Sequence, residues 1–146
     1  MSLSTDIIFV KALKSNQELL DLLPAKDIYN TSIQLPDREL INAPIPYILV
    51  SFDGLENDGQ SKDSFEGDSD AVTISVEMSA KNREQLADIA EMVRTTIREY
   101  FENADPESDD YALIPEDYQF SASPVVFDQD KPSFWQTLTY RCDTNI

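Results

Sequence analysis

AVTISVEMSAKNREQLADIAEMVRTTIREYF, residues 71–101, contains two hydrophobic periods in succession. In its first part Val72, Ile74, Val76 and Met78 alternate with Thr73, Ser75 and Glu77. Period two is the mark of a strand with one buried face and one wetter face. In its second part Leu86, Ile89, Ala90, Val93, Ile97, Tyr100 and Phe101 recur every three or four residues, which makes an amphipathic helix. Asn82 stands where an N-cap belongs and Gln85 follows three residues later, the spacing of a capping box. The charged residues of this helix, Arg83, Glu84, Asp88, Glu91, Arg94, Arg98 and Glu99, fall mostly on its other face, solvated or paired along the helix.

Two acidic segments flank this unit. Residues 53–70 hold seven acids against Lys62, and also the chain's three glycines. Residues 102–117 hold seven acids and no base. Both read as loops, the first longer than ordinary connections. An EF-hand loop fails in the first segment. The positions that require acids are Gly54 and Phe65 around Gly59, and Lys62 and Thr73 around Gly67. A looser cation site of Asp63, Glu66, Asp68 and Asp70 stays open, although no metal or other cofactor is expected.

Outward from there, Ser4–Leu13 reads as a helix that Ser4 or Thr5 caps, and Asn16 caps a second short helix that Pro24 stops. Asp27–Ile33 reads as a strand, 34–46 as an irregular proline-bearing arm, and Tyr47–Phe52 as a strong strand behind Pro46. Tyr118–Val126 reads as a strand broken by Pro124. Phe127–Pro132 reads as a turn, and Ser133–Cys142 as the closing strand. There Phe134, Gln136, Leu138, Tyr140 and Cys142 alternate with Trp135, Thr137, Thr139 and Arg141, and Trp135 with Tyr140 reads as core or a packing pair. The fold class is therefore α+β: a mostly antiparallel sheet of about four or five strands, with N-terminal helices and one long helix on one face. Residues 1–146 are expected to form a single domain, its consecutive strands joined as hairpins.

Composition narrows function. The net charge is −17, from 28 acidic and 11 basic residues. Such a field repels phosphate and anionic membranes, so neither nucleic acid nor a membrane is an expected partner. There is no histidine, which removes Ser-His-Asp and Cys-His nucleophile pairs and the usual zinc sites. Cys142 has no base beside it in the sequence pattern and reads as a strand residue, so no enzyme is expected. No apolar run is long enough to span a bilayer and none follows a basic start, so no secretory signal is expected.

Four local patterns, in order, resemble the tail-completion family of long-tailed phages and prophages (tail terminators and head-tail joining proteins). They are Leu22-Leu23-Pro24-Ala25-Lys26-Asp27-Ile28-Tyr29, Ala43-Pro44-Ile45-Pro46-Tyr47-Ile48-Leu49-Val50, Val72–Glu77 running into the long helix, and the aromatic strand Phe134–Tyr140. The acidic segments look longer than is usual there. The resemblance implies a structural protein that self-associates into a ring, commonly a hexamer, at the head end of the tail. Its partners would be tail-tube and head-completion proteins, and its location the virion or the bacterial cytoplasm. The candidate interaction residues are Asp63, Glu66, Asp68, Asp70, Tyr47, Asp109 and Asp110. The competing class is an acidic DNA mimic, or another inhibitor module that binds a basic protein.

Overall fold

The computed structural model describes residues 2–31, 45–57 and 69–145. Three helices, α1 (Thr5–Ser15), α2 (Gln17–Leu22) and α3 (Arg83–Glu102), pack on one face of a six-stranded sheet. The strands are β1 (Ile28–Asn30), β2 (Tyr47–Asn57), β3 (Ser69–Ala80), β4 (Asp117–Ala122), β5 (Val126–Asp128) and β6 (Ser133–Asn145). Their spatial order is β1-β2-β3-β6-β4, with β5 also paired to β6. The class is α+β, as the periodicities require.

The alternation of β3 survives in three dimensions. Val72, Ile74, Val76 and Met78 are fully buried, and across β6 they face Cys142, Tyr140, Leu138 and Gln136. Leu86, Ile89, Val93 and Ile97 of α3 close over them, each worth about 1.5–3 kcal/mol of apolar burial. The helix starts where the capping pattern puts it. The Gln85 N–H donates to Asn82 Oδ1 at 2.7 Å, and Gln85 Oε1 accepts from the Lys81 N–H at 2.9 Å. The return bond thus reaches one residue beyond the cap. Asn16 caps α2 in the same way, accepting from the Glu18 N–H at 3.0 Å.

Several expectations are corrected. The ends of the first acidic segment are not loop: residues 53–57 extend β2, and 69–70 begin β3. A bulge between Phe52 and Gly54 makes this possible. The extra residue, Asp53, shifts the parity, so Leu55 faces Val72 in the core just as Phe52 faces Ile74. Without that shift Leu55 would point away from the helices. β1 runs parallel to β2, so 28–30 and 47–57 are not a hairpin. The connecting arm falls on residues 32–44, outside the described ones. Pro124 divides the expected strand into β4 and β5, and β5 takes in Phe127 and Asp128 from the expected turn. The Ser4 side chain makes no cap bond; a 3-10 turn over Ser2–Ser4 leads into α1 instead. Residues 111–113 interrupt the second acidic loop with another 3-10 turn.

An aromatic cluster joins the helices to the sheet. The Phe9 ring meets Phe101 at 5.3 Å and Tyr140 at 5.2 Å, both edge to face, and Tyr140 also meets Tyr118 and Phe120. Arg94 is not paired with a helix acid; its guanidinium lies 4.5 Å over the Phe120 ring. Within this cluster the Tyr140 hydroxyl is buried without a hydrogen-bond partner among the described residues. Burial first, then the neighbouring Tyr118, pushes its pKa above the ordinary phenol value. An unpaired buried hydroxyl costs about 1–3 kcal/mol, so Tyr140→Phe is expected to leave stability unchanged or raise it by about 1 kcal/mol. A urea titration reads this directly; a loss beyond 1 kcal/mol would reveal a hidden partner for the hydroxyl.

Candidate interaction surface

The face of the sheet turned away from the helices is built from the other parity of each strand. Register aligns Ser51, Ser75, Thr139 and Ser121 in one row across β2, β3, β6 and β4. Short hydroxyl side chains make this row flat, and no charge interrupts it. Charged groups stand to either side: Glu77 on one, and Arg141 with Glu56 at 3.5 Å on the other. In a chain of net charge −17 this uncharged band is unusual surface.

Two rows along the strands from the band, past Glu77, the surface deepens. Ser79 pairs with Tyr47 on one side and Trp135 on the other, so two aromatic side chains flank a serine that is itself buried. With Glu77, Asp128, Asp130 and Lys131 they line a hollow of about 610 Å³. The Tyr47 hydroxyl donates to Glu77 Oε2 at 3.2 Å, and the Lys131 ammonium sits 5.9 Å from the centre of the Tyr47 ring. Burial, then the charges of Glu77 and Asp128, hold the Tyr47 phenol above its ordinary pKa. The Asp130 N–H donates to Asp128 Oδ1 at 3.0 Å, which shapes the turn between β5 and β6.

The other described candidates, Asp70, Asp109 and Asp110, do not line the hollow. Asp70 is buried on the core side, where its Oδ1 accepts from Asn57 Nδ2 at 2.7 Å. Its carboxylate pins the end of the β2–β3 pair and does not present a charge to solvent. Asp110 holds Lys11 of α1 at 2.9 Å, which fastens the second acidic segment to the helices and raises the lysine pKa. Asp109 beside it is exposed. Asp63, Glu66 and Asp68 lie outside the described residues, and with them most of the open cation site. Among the described residues no three metal-ligating side chains cluster. The sheet separates the proposed Trp135–Tyr140 pair: opposite parity sends Tyr140 to the core and Trp135 to the open face.

Cys142 lies in the core with no exposure, and burial pushes its thiol up to about 12. The neutral thiol is therefore the species present through the physiological range. A thiol reagent such as Ellman's is expected to react negligibly with the folded protein at pH 8 and fully in denaturant; rapid reaction in the native state would contradict the burial.

Of the residues around the hollow, only Tyr47 stands out in the sequence, from its place behind Pro46. Trp135 and Glu77 carry the right parity, but only strand register brings them beside it. Lys131 has no signal in the sequence.

No protein-family model matches this chain, and no curated protein does. Twenty chains of solved structures are similar to it in fold. One is a chain of the virion of a native gene transfer agent (GTA) particle. It superposes with a TM-score of 0.58 over 92% of this chain and 90% of that one, at 12% identity. That likeness shows a shared fold.

Proposed function

We propose that this chain is a structural component of a phage-like virion, of the tail-completion kind, that closes into a ring at the head end of the tail. The observation that carries the reading is the end-to-end likeness to a chain of a gene transfer agent virion, 92% of one covering 90% of the other. Coverage of that order matches whole chain to whole chain and not a shared fragment. Local patterns that resemble the tail-completion family also run along the sequence from Leu22 to Tyr140.

The flat hydroxyl band gives the proposal a physical basis. Ring subunits need a heterologous contact that closes by rotation, and a self-contact between chains of charge −17 must avoid setting acid against acid. The uncharged row across the sheet offers a strip where copies can meet without setting acid against acid. The acidic segments would then face a lumen that repels DNA and lets it pass. The ring, hexameric in this reading, would meet tail-tube and head-completion proteins and reside in the virion, or in the bacterial cytoplasm before assembly. No catalytic step is assigned to it.

Light scattering after size exclusion, followed by negative-stain imaging, tests this at rising protein concentration and in the presence of purified tail tubes. Closed rings, free or seated on tube ends, are the expected result. A species that stays monomeric or dimeric, ignores tubes and binds a basic DNA-processing enzyme would overturn it in favour of DNA mimicry.

A further inference from the structure

We propose that the hollow between Tyr47 and Trp135 is a binding site for an arginine side chain presented by a basic segment of a partner protein. The proposal stands whether or not the chain forms rings.

Register supplies the walls. Tyr47 and Trp135 are both direct cross-strand partners of Ser79, so their backbones lie two strand spacings apart, roughly 9–10 Å. Two aromatic side chains rising from such positions, with a small serine between them, leave room for a flat group to stack. The hollow of about 610 Å³ lies within the range of sites for small ligands. A guanidinium is planar, stacks on aromatic faces and presents a fork of donors to carboxylates.

Charge selects the sign of the occupant. Among the described residues, three carboxylates, of Glu77, Asp128 and Asp130, line the hollow against one ammonium, of Lys131. Glu77 is tied by the Tyr47 hydroxyl through one oxygen at 3.2 Å, which orients the carboxylate beside the ring. The geometry already accommodates a cation: Lys131 extends from the β5–β6 turn and places its ammonium over the Tyr47 face at 5.9 Å. That distance is near the outer limit for a cation–π contact. A guanidinium that enters between the rings would come closer and would compete with Lys131 for the same field.

Trp135 is the chain's single tryptophan, so its indole N–H resonance and its fluorescence report on this hollow. The probe is N-acetyl-arginine amide, a monocation, which avoids the indiscriminate attraction of polycations to an acidic protein. N-acetyl-lysine amide and the neutral N-acetyl-citrulline amide serve as comparisons, all at 0.15 M salt. The expected result is a saturable shift of the indole resonance with the arginine compound, weaker with lysine and absent with citrulline. Glu77→Gln and Tyr47→Ala should each weaken binding about tenfold. Lys131→Ala should strengthen it, because the resident competitor is gone. Thermal midpoints and circular dichroism of the variants show whether each remains folded, and Lys131→Ala, at a half-buried turn position, tests the site should Tyr47→Ala fail to fold. Equal shifts with arginine and citrulline, no saturable shift at all, or weaker binding in Lys131→Ala would overturn the assignment.

Discussion

Replacing Phe9 with alanine is expected to cost about 3–5 kcal/mol, the usual range for deleting a buried aromatic ring. Phe9 has no exposed surface and sits where α1, the last turn of α3 and β6 converge. Its contacts with Phe101 and Tyr140 have interplanar angles of 86° and 64°, the edge-to-face arrangement that adds about 0.5–1.5 kcal/mol per pair beyond area burial. The cluster cannot collapse easily into the gap, because Tyr140 is anchored in the middle of the sheet between β3 and β4. Against a typical domain stability of about 5–15 kcal/mol this is a large fraction. Urea unfolding followed by far-ultraviolet circular dichroism should show a much lower midpoint at unchanged slope. Phe127 is the control: it is 50% exposed and meets Phe134 at 5.0 Å on the surface. Phe127→Ala should cost less than about 1 kcal/mol. Equal losses in the two variants would mean that the Phe9 cluster is not part of the core.

Asn16→Ala carries the second large effect, about 2–3 kcal/mol, from two roles in one side chain. Its Oδ1 caps α2, worth about 1 kcal/mol. Its Nδ2 donates to the hydroxyl of Thr96 at 2.7 Å, in the middle of α3. Thr96 is buried and its hydroxyl donates in turn to the Met92 carbonyl at 2.6 Å. Alanine at position 16 therefore leaves a buried acceptor unmet, at about 1–2 kcal/mol. A double-mutant cycle with Thr96→Val separates the roles. The coupling between the two sites should be about 1 kcal/mol, with the remainder belonging to the cap. If the two losses simply add, the bond between the helices contributes nothing and the cap alone accounts for the cost.

Asn16 also illustrates how far the sequence reaches. Its capping role is legible because a cap is a local event, set by the residue's own side chain and the N–H groups two or three positions on. Its bond to Thr96, 80 residues away, is not legible, because no local pattern marks it. The same division runs through the candidate site. Trp135 and Tyr140 differ in strand parity, so they lie on opposite faces of the sheet and cannot pack as a pair. The sequence offers Asp70 as a candidate cation ligand and interaction residue, and only the extension of β2 to Asn57 shows it turned inward and bonded.

Residues 71–101 by themselves determined that this chain has a half-buried strand followed by a capped amphipathic helix. The physical reason is that the periods of two and 3.6 are properties of the backbone, written into whichever residues must avoid water. Composition likewise excluded histidine chemistry outright. Tertiary structure alone decided that β6 lies between β3 and β4, that β1 runs parallel to β2, and that Tyr47, Ser79 and Trp135 form one row. Strand neighbours are chosen by the global closure of one core, among pairings that alternate equally well. That choice brought Tyr47, Ser79 and Trp135 together as an aromatic-walled hollow on the open face of the sheet.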